Sequence, residues 1–395
     1  MKDTPIQYLT QEICDKYLIC PVCRSQASLI IGDEKMVCRK CKNEYYMRNG
    51  IPALMPSGVI DFHSYRFLEK KVAPQSISSP YKVLSPGVWH AIIAEIIYFF
   101  MTLYFFKKYG IGTILRKKWC TEVNRALYFG WRNYFNLILK AGETAAFNKM
   151  LRYIREPSLE IGCGNCYTTN MIFRDRLDSV TFGCEYWMDT YLDNKDEMFK
   201  LINHYVGGSV NSLPFASETF NSVYMVHIID HIPDIDVCFK EISRILKVNG
   251  FLVISGYSKY TFERLPGVKI RNFVSKKWAQ EYKLKRIARE NHYRAGIPLS
   301  TDSSNNATGR NMLSLHEWKK MAERYQFEVS DWVFFGKGFS CFVDLEYRGF
   351  TRSYLTNEFI YSAISKMIED EKKAPLREEE STNMVIVLRK KVNMP

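Results

Sequence analysis

From residue 157 onward, short apolar runs alternate with stretches of helical periodicity, as a parallel α/β sheet requires. The runs include Ser158–Ile161, Val180–Glu185, Val223–Val226 and Phe251–Ile254. A late helix is expected over Leu313–Tyr325, with strands near 327–335 and 384–390; the long stretch between those strands has no assignment. Two other regions break the alternation. Residues 88–106 are nearly all apolar and end at Lys107-Lys108, but they include Glu95 and fall at the lower limit of a membrane span. A second helical segment, 121–139, carries Tyr128, Phe129, Trp131, Tyr134 and Phe135 and follows the basic run Arg116-Lys117-Lys118. Together the two segments fit a buried cap or a hairpin lying in a membrane interface, and a true span of the first remains a third reading.

Composition narrows this picture modestly. Hydrophobic residues make up 47% and charged residues 25%, values of an ordinary folded protein, and 395 residues suffice for one large domain plus a smaller module. The net charge of +13 draws the chain toward nucleic acid or an anionic lipid surface, or simply gives it a solvated basic face. Part of the excess lies in residues 264–294, where Lys269, Arg271, Lys276, Lys277, Lys283, Lys285, Arg286, Arg289 and Arg294 surround Trp278 and Tyr282. Eleven cysteines without a visible secretory signal imply free thiols and a cytoplasmic setting. No internal repeat stands out.

Four of those cysteines form two C-x-x-C pairs, Cys20/Cys23 and Cys38/Cys41, separated by a segment rich in β-formers. Two intervening residues let both thiolates of a knuckle face one ion, and two knuckles complete a closed four-sulfur site of the structural Zn2+ type. The segment continues Asn43-Glu44-Tyr45-Tyr46 and then Arg48-Asn49-Gly50-Ile51-Pro52-Ala53-Leu54-Met55-Pro56. Over about residues 14–58 it resembles the small zinc-ribbon proteins that activate methyltransferases, which implies a fused ribbon supporting a catalytic domain.

Within the alternating region, Ser158-Leu159-Glu160-Ile161-Gly162-Cys163-Gly164 reads as a strand entering a glycine turn, where missing Cβ atoms admit a ligand to the backbone. The next strand ends in Glu185, about twenty residues on, where a carboxylate accepts ribose hydroxyls in Rossmann-type sites. Turn and acid do not separate a dinucleotide from S-adenosylmethionine. The residues that follow add Leu213-Pro214-Phe215, then Asp230-His231, then Glu241-Ile242-Ser243-Arg244-Ile245-Leu246-Lys247-Val248-Asn249-Gly250. In combination, residues 157–256 resemble the type 11 class I methyltransferases.

That resemblance implies a Rossmann-like, seven-stranded class I methyltransferase sheet, here with a small N-terminal zinc ribbon and helical insertions. It implies S-adenosylmethionine held by Glu160, Gly162, Cys163, Gly164, Glu185, Ser209, Val210 and His227, with His231 as a candidate base on the substrate side. Three positions depart from the family pattern: Cys166 replaces the third turn glycine, Ser209 replaces an acid, and Val248-Asn249 replaces Pro-Gly. The expected layout is a ribbon over 1–60, a linker with the apolar helical segment over 61–150, and the methyltransferase domain over 151–395 with a basic insertion at about 257–312. The expected activity is methyl transfer to a hydrophobic or lipid-linked small molecule, at oxygen or carbon, by a cytoplasmic protein with peripheral membrane contact. An RNA methyltransferase and a non-catalytic binding domain are the alternatives, and oligomeric state is not legible.

Overall fold

The computed structural model describes residues 9–48, 50–56, 88–164, 181–185, 204–232, 234–284, 312–347 and 349–391. Helix α1 (Gln11–Tyr17) is followed by strands β1 (Leu29–Ile31), β2 (Lys35–Cys38), β3 (Glu44–Arg48) and β4 (Ile51–Leu54). A helical stretch comes next: α2 (Val88–Tyr109), α3 (Ile111–Leu115), α4 (Thr121–Tyr128) and α5 (Tyr134–Met150). The alternating region holds β5 (Ser158–Ile161), β6 (Thr181–Glu185), β7 (His204–Gly208), β8 (Phe220–Val226), α6 (Ile235–Ile245) and β9 (Leu246–Tyr257). Helices α7 (Pro266–Val274) and α8 (Leu315–Arg324) precede β10 (Phe327–Phe335), α9 (Phe339–Tyr347), α10 (Asn357–Lys373) and β11 (Asn383–Lys390).

The described strands form one sheet in the order β1-β2-β3-β4-β7-β6-β5-β8-β9-β11-β10. Strands β7, β6, β5, β8 and β9 run parallel, while β11 inserts antiparallel between β9 and β10. Those seven strands are the Rossmann-like class I methyltransferase sheet. Strands β5, β6 and β7 are buried along their whole length, as parallel strands covered on both faces must be. Sequence periodicity located the late elements closely: α8 begins at a reciprocal cap in which Ser314 Oγ accepts the Glu317 amide and Glu317 accepts the Ser314 amide. The departure at Val248-Asn249 preserves the turn. Asn249 adopts φ +64°, a left-handed conformation that asparagine tolerates better than most side chains.

The N-terminal strands extend this sheet. β4 is antiparallel to β3 and parallel to β7, pairing Ala53 with Gly207 and Leu54 with Gly208, so the β7 edge is covered. The Tyr17–Ile19 backbone runs beside residues 214–216, with Ile19 N donating to Pro214 O at 3.0 Å and Ala216 N to Tyr17 O at 2.9 Å. Arg24 reaches across to Glu241 at 3.1 Å. One apolar core runs continuously from Leu18, Leu29, Met36 and Leu54 into Leu159, Phe182, Val206 and Phe220.

The stretch between β10 and β11, unassigned from sequence, holds α9 and α10. Helix α10 is the partner of the helical segment near residue 100. Phe106 packs on Phe359 with ring centroids 5.7 Å apart, Trp119 on Tyr361 at 5.4 Å, and Lys372 pairs with Glu122 at 2.8 Å. Tyr134 ties the layer together, lying 4.8 Å from the Tyr98 ring and donating to Asn357 Oδ1 at 2.5 Å.

Candidate active site and metal centre

The turn after β5 is shaped by two glycines in the left-handed region, Gly162 at φ +70° and Gly164 at φ +52°. A Cβ at Gly162 would lie 2.6 Å from two carbons of Ile228, so that position has no room for a side chain. At Gly164 a Cβ would meet nothing within 4 Å among the described residues, which leaves space there for a ligand to reach the backbone. Glu185 ends β6 beside this loop and accepts the Gly164 amide at 2.6 Å. Tyr205 Oη, from β7, donates to the Gly164 carbonyl at 3.0 Å. Loop and acid therefore meet, and the Glu185 carboxylate keeps acceptor positions beyond the one that the Gly164 amide uses.

Glu160, at the C-terminal end of β5, is buried, and burial first and the Glu185 charge second push its carboxyl up to about 8. Cys163 is also buried. Ser209 follows β7 and its Oγ accepts the Asn211 amide at 3.3 Å, while Val210 is partly buried against the same apolar core. His227 follows β8 at φ +54°, its amide bonded to Ser255 O at 3.0 Å. His231 closes the short turn Ile229–His231, and Cys166 lies outside the described residues. The loop, Glu185 and Glu160 thus cluster at the C-terminal ends of adjoining strands, where open α/β sheets bind ligands.

Sequence reasoning missed Glu143. It lies on α5, fully buried, with its Oε1 3.3 Å from His227 Nε2 and its Oε2 3.1 Å from Lys140 Nζ. Ser255 Oγ donates to it at 2.5 Å. Burial opposes its ionisation, yet the Lys140 ammonium, His227 and the Ser255 hydroxyl outweigh burial and hold the carboxyl below its ordinary value. Tyr257 stands edge-on to His227 with centroids 5.1 Å apart. The available signal was a lone acid flanked by Leu139, Ala141, Ala145 and Ala146, since buried carboxylates are rare without a partner. Lys140, three residues back on the same helix, was within reach of spacing, but His227 and Ser255 lie more than eighty positions away and were not.

The four cysteines converge as their spacing demands. Their sulfur atoms all lie within 4.8 Å of one another, with Cys20 to Cys41 at 3.5 Å and Cys23 to Cys38 at 3.6 Å. Four sulfurs at tetrahedral corners around zinc stand about 3.8 Å apart, given metal–sulfur bonds near 2.3 Å. The knuckles have matching backbones: Arg24 (φ +58°) donates its amide to Cys20 O, and Lys42 (φ +63°) donates to Cys38 O. Around them, Tyr45 Oη lies 3.0 Å from Cys20 Sγ and Cys38 Sγ lies 3.4 Å from Ser28 Oγ. The cluster is compatible with a zinc ribbon.

Residues 159–254 match the family model described as a methyltransferase domain, of type 11. No curated protein matches the chain. Among solved structures, the [4+2]-cyclase SpnF is 13% identical, with 64% of this chain and 82% of that chain covered and a TM-score of 0.38. A sarcosine dimethylglycine methyltransferase described for Galdieria sulphuraria is 14% identical, covering 65% and 87%, at a TM-score of 0.39. The complex between the Haloferax volcanii Trm112 methyltransferase activator and its methyltransferase gives 14% identity, 63% and 90% coverage, and a TM-score of 0.36. Residues 159–254 thus match the type 11 methyltransferase domain model, on a sheet with the class I methyltransferase strand order that is joined at one edge to a four-cysteine cluster.

Proposed function

We propose that the chain transfers the methyl group of S-adenosylmethionine to a hydrophobic or lipid-linked small molecule, at oxygen or carbon. The observation that carries the methyltransferase part is the contact between Glu185 and the glycine turn at Gly164. In this reading Glu160, Gly162, Cys163 and Gly164 hold the methionine side, Glu185 the ribose, and Ser209 and Val210 the adenine end, with His227 also against the bound molecule. The bound molecule supplies an activated methyl group on a sulfonium, and the protein orients the acceptor in line with it.

An acceptor hydroxyl also requires a base. His227 has a buried carboxylate 3.3 Å from its ring nitrogen, so Glu143 stabilises the imidazolium that proton removal creates. His231, a turn further on, is the second candidate. The four cysteines hold a structural Zn2+, and the ribbon it folds covers the β7 edge. The organisation proposed is a ribbon over 1–60, a helical connector over 61–150 and a methyltransferase domain over 151–395 with the basic insertion near 257–312, working in the cytoplasm against a membrane.

The hydrophobic acceptor is supported by the long apolar helix α2, which shares a packed layer with α5, the helix that carries Glu143. Incubating the protein with methyl-labelled S-adenosylmethionine and a membrane-containing extract, then counting lipid, RNA and protein fractions against Glu185→Ala, tests the reading. Label in lipid supports it. Label in RNA replaces it with an RNA methyltransferase using the ribbon and basic segments, and no label in any fraction favours a binding domain without catalysis.

A further inference from the structure

Helix α2 is 22 residues long, about 33 Å at 1.5 Å per residue, and among the described residues one face of it meets the protein. The stripe is Ala94, Tyr98, Thr102 and Phe105, at the four- and three-residue spacing of one helical face. It docks on α5, α10 and the turn after α9: Tyr98 Oη donates to Phe350 O at 2.5 Å, and His90 stacks on Phe350 at 4.5 Å. The helix has one acid, Glu95, and the body of the protein consumes it. Its carboxylate accepts Ser353 Oγ at 2.6 Å and the Tyr354 amide at 2.7 Å.

The remaining surface of α2 is apolar and open. Trp89 is 77% exposed and Phe100 64%, and Ile93, Ile96, Phe99 and Leu103 are exposed beside them. Such a contiguous apolar face on a soluble surface marks an interaction site. Its C-terminal end is basic: Lys107, Lys108, Arg116, Lys117 and Lys118 are exposed, and no acid occurs between residues 96 and 121. Of these cations Lys117 pairs with Glu358. A second apolar patch, Ile270, Phe273 and Val274 on α7, lies beside Lys269, Lys276 and Lys277, and α7 docks on α9 through the Gly267 amide and Asp344.

We infer that α2 lies in the plane of an anionic lipid surface, its Trp89–Leu103 face among the acyl chains and its basic end against the headgroups. Three observations select lipid over a second copy of the chain. The face is aromatic and aliphatic without a polar anchor, its flank is cationic and so repels its own copy, and the whole chain carries +13. Docking along the body by the Ala94–Phe105 stripe keeps the helix lying against the protein, so it rests in the interface without spanning. The inference deepens the function proposed above by naming its partner surface. The two fail separately, because vesicle binding requires neither S-adenosylmethionine nor an acceptor.

Flotation of the full-length protein with phosphatidylglycerol-containing vesicles and with pure phosphatidylcholine vesicles, at low and high salt, tests this. Binding to the anionic vesicles is expected, weakening with salt, together with a blue shift of Trp89 emission that Trp89→Phe removes. Phe100→Glu with Leu103→Glu should lower vesicle affinity more than tenfold, and Lys107→Gln with Lys108→Gln about fivefold per cation removed. Unchanged circular dichroism and zinc content keep both variants interpretable. Failure of the wild type to bind anionic vesicles would overturn the inference, as would equal binding by the Phe100/Leu103 double variant. A wild-type dimer in light scattering that the same double variant dissociates would assign the face to a second copy instead.

Discussion

The four-cysteine module and helix α2 are both additions to the methyltransferase sheet, yet different forces hold them. The module is joined by backbone: β4 pairs with β7, and the Tyr17–Ile19 segment bonds to residues 214–216. Its own fold centres on four sulfurs within 4.8 Å. Helix α2 forms no strand pairing and is held by a single side-chain stripe with the two bonds of Glu95. The first kind of attachment uses up the pairing capacity of the β7 edge. The second leaves most of a long apolar surface available for a partner.

Removing the metal proposed for the four cysteines should have the largest effect. A structural zinc in a module this small contributes on the order of 10 kcal/mol or more to its folding. Chelation or Cys38→Ser should therefore unfold residues 9–56, release β4 and expose the β7 edge, seen as lost amide signals in that segment and as aggregation. A module that kept its signals without metal would break the contrast with α2. Tyr98→Ala comes next. This fully buried ring joins α2 to α5 and to Phe350 O, and truncation should cost about 3–5 kcal/mol in urea unfolding while leaving zinc content intact. A cost below about 1 kcal/mol would show that the stripe does not hold the helix.

pH separates the four-cysteine module from the buried Glu160 of the central sheet by sign. Cysteine ligands must be deprotonated, so the metal-held module loses stability as pH falls. Glu160 acts oppositely: its carboxyl is raised to about 8, so between about 4.3 and 8 the folded chain binds a proton that the unfolded chain does not. Its contribution is complete below about 4.3 and disappears as pH rises through 8. Glu160→Gln should flatten melting temperature against pH across that window; an unchanged slope would contradict the assignment. Arg24→Ala should have the smallest effect, about 1 kcal/mol or less, because Arg24 is partly exposed and Glu241 keeps Arg244 at 2.9 Å. A larger loss in thermal unfolding would make this ion pair a principal joint of the module.

What the sequence revealed follows the same division. The cysteine knuckles, the glycine turn and Glu185 are legible because each rests on local backbone geometry, which leaves short, spaced signatures. Late elements were legible through periodicity, and the structure adds the Ser314/Glu317 cap that starts the helix. The docking of α2 was not, because its partners lie in residues 336–382, where amphipathic helices carry no mark of what they cover. Glu143 was hidden for a related reason: its neighbours His227 and Ser255 come from the residue after β8 and from β9, brought close only by the sheet. Glu95 counted against a membrane span in the sequence, whereas the structure shows it turned toward Ser353 and Tyr354, leaving the opposite face without charge.

The most direct test of the central claim is calorimetric titration with S-adenosylhomocysteine of the wild type and of Glu185→Ala. The account predicts one site per chain in the wild type and affinity lowered about a hundredfold or more in the variant, since charge-assisted hydrogen bonds to the ribose are lost at about 1.5–3 kcal/mol each. No heat of binding in the wild type, or equal affinity in the two proteins, would contradict it.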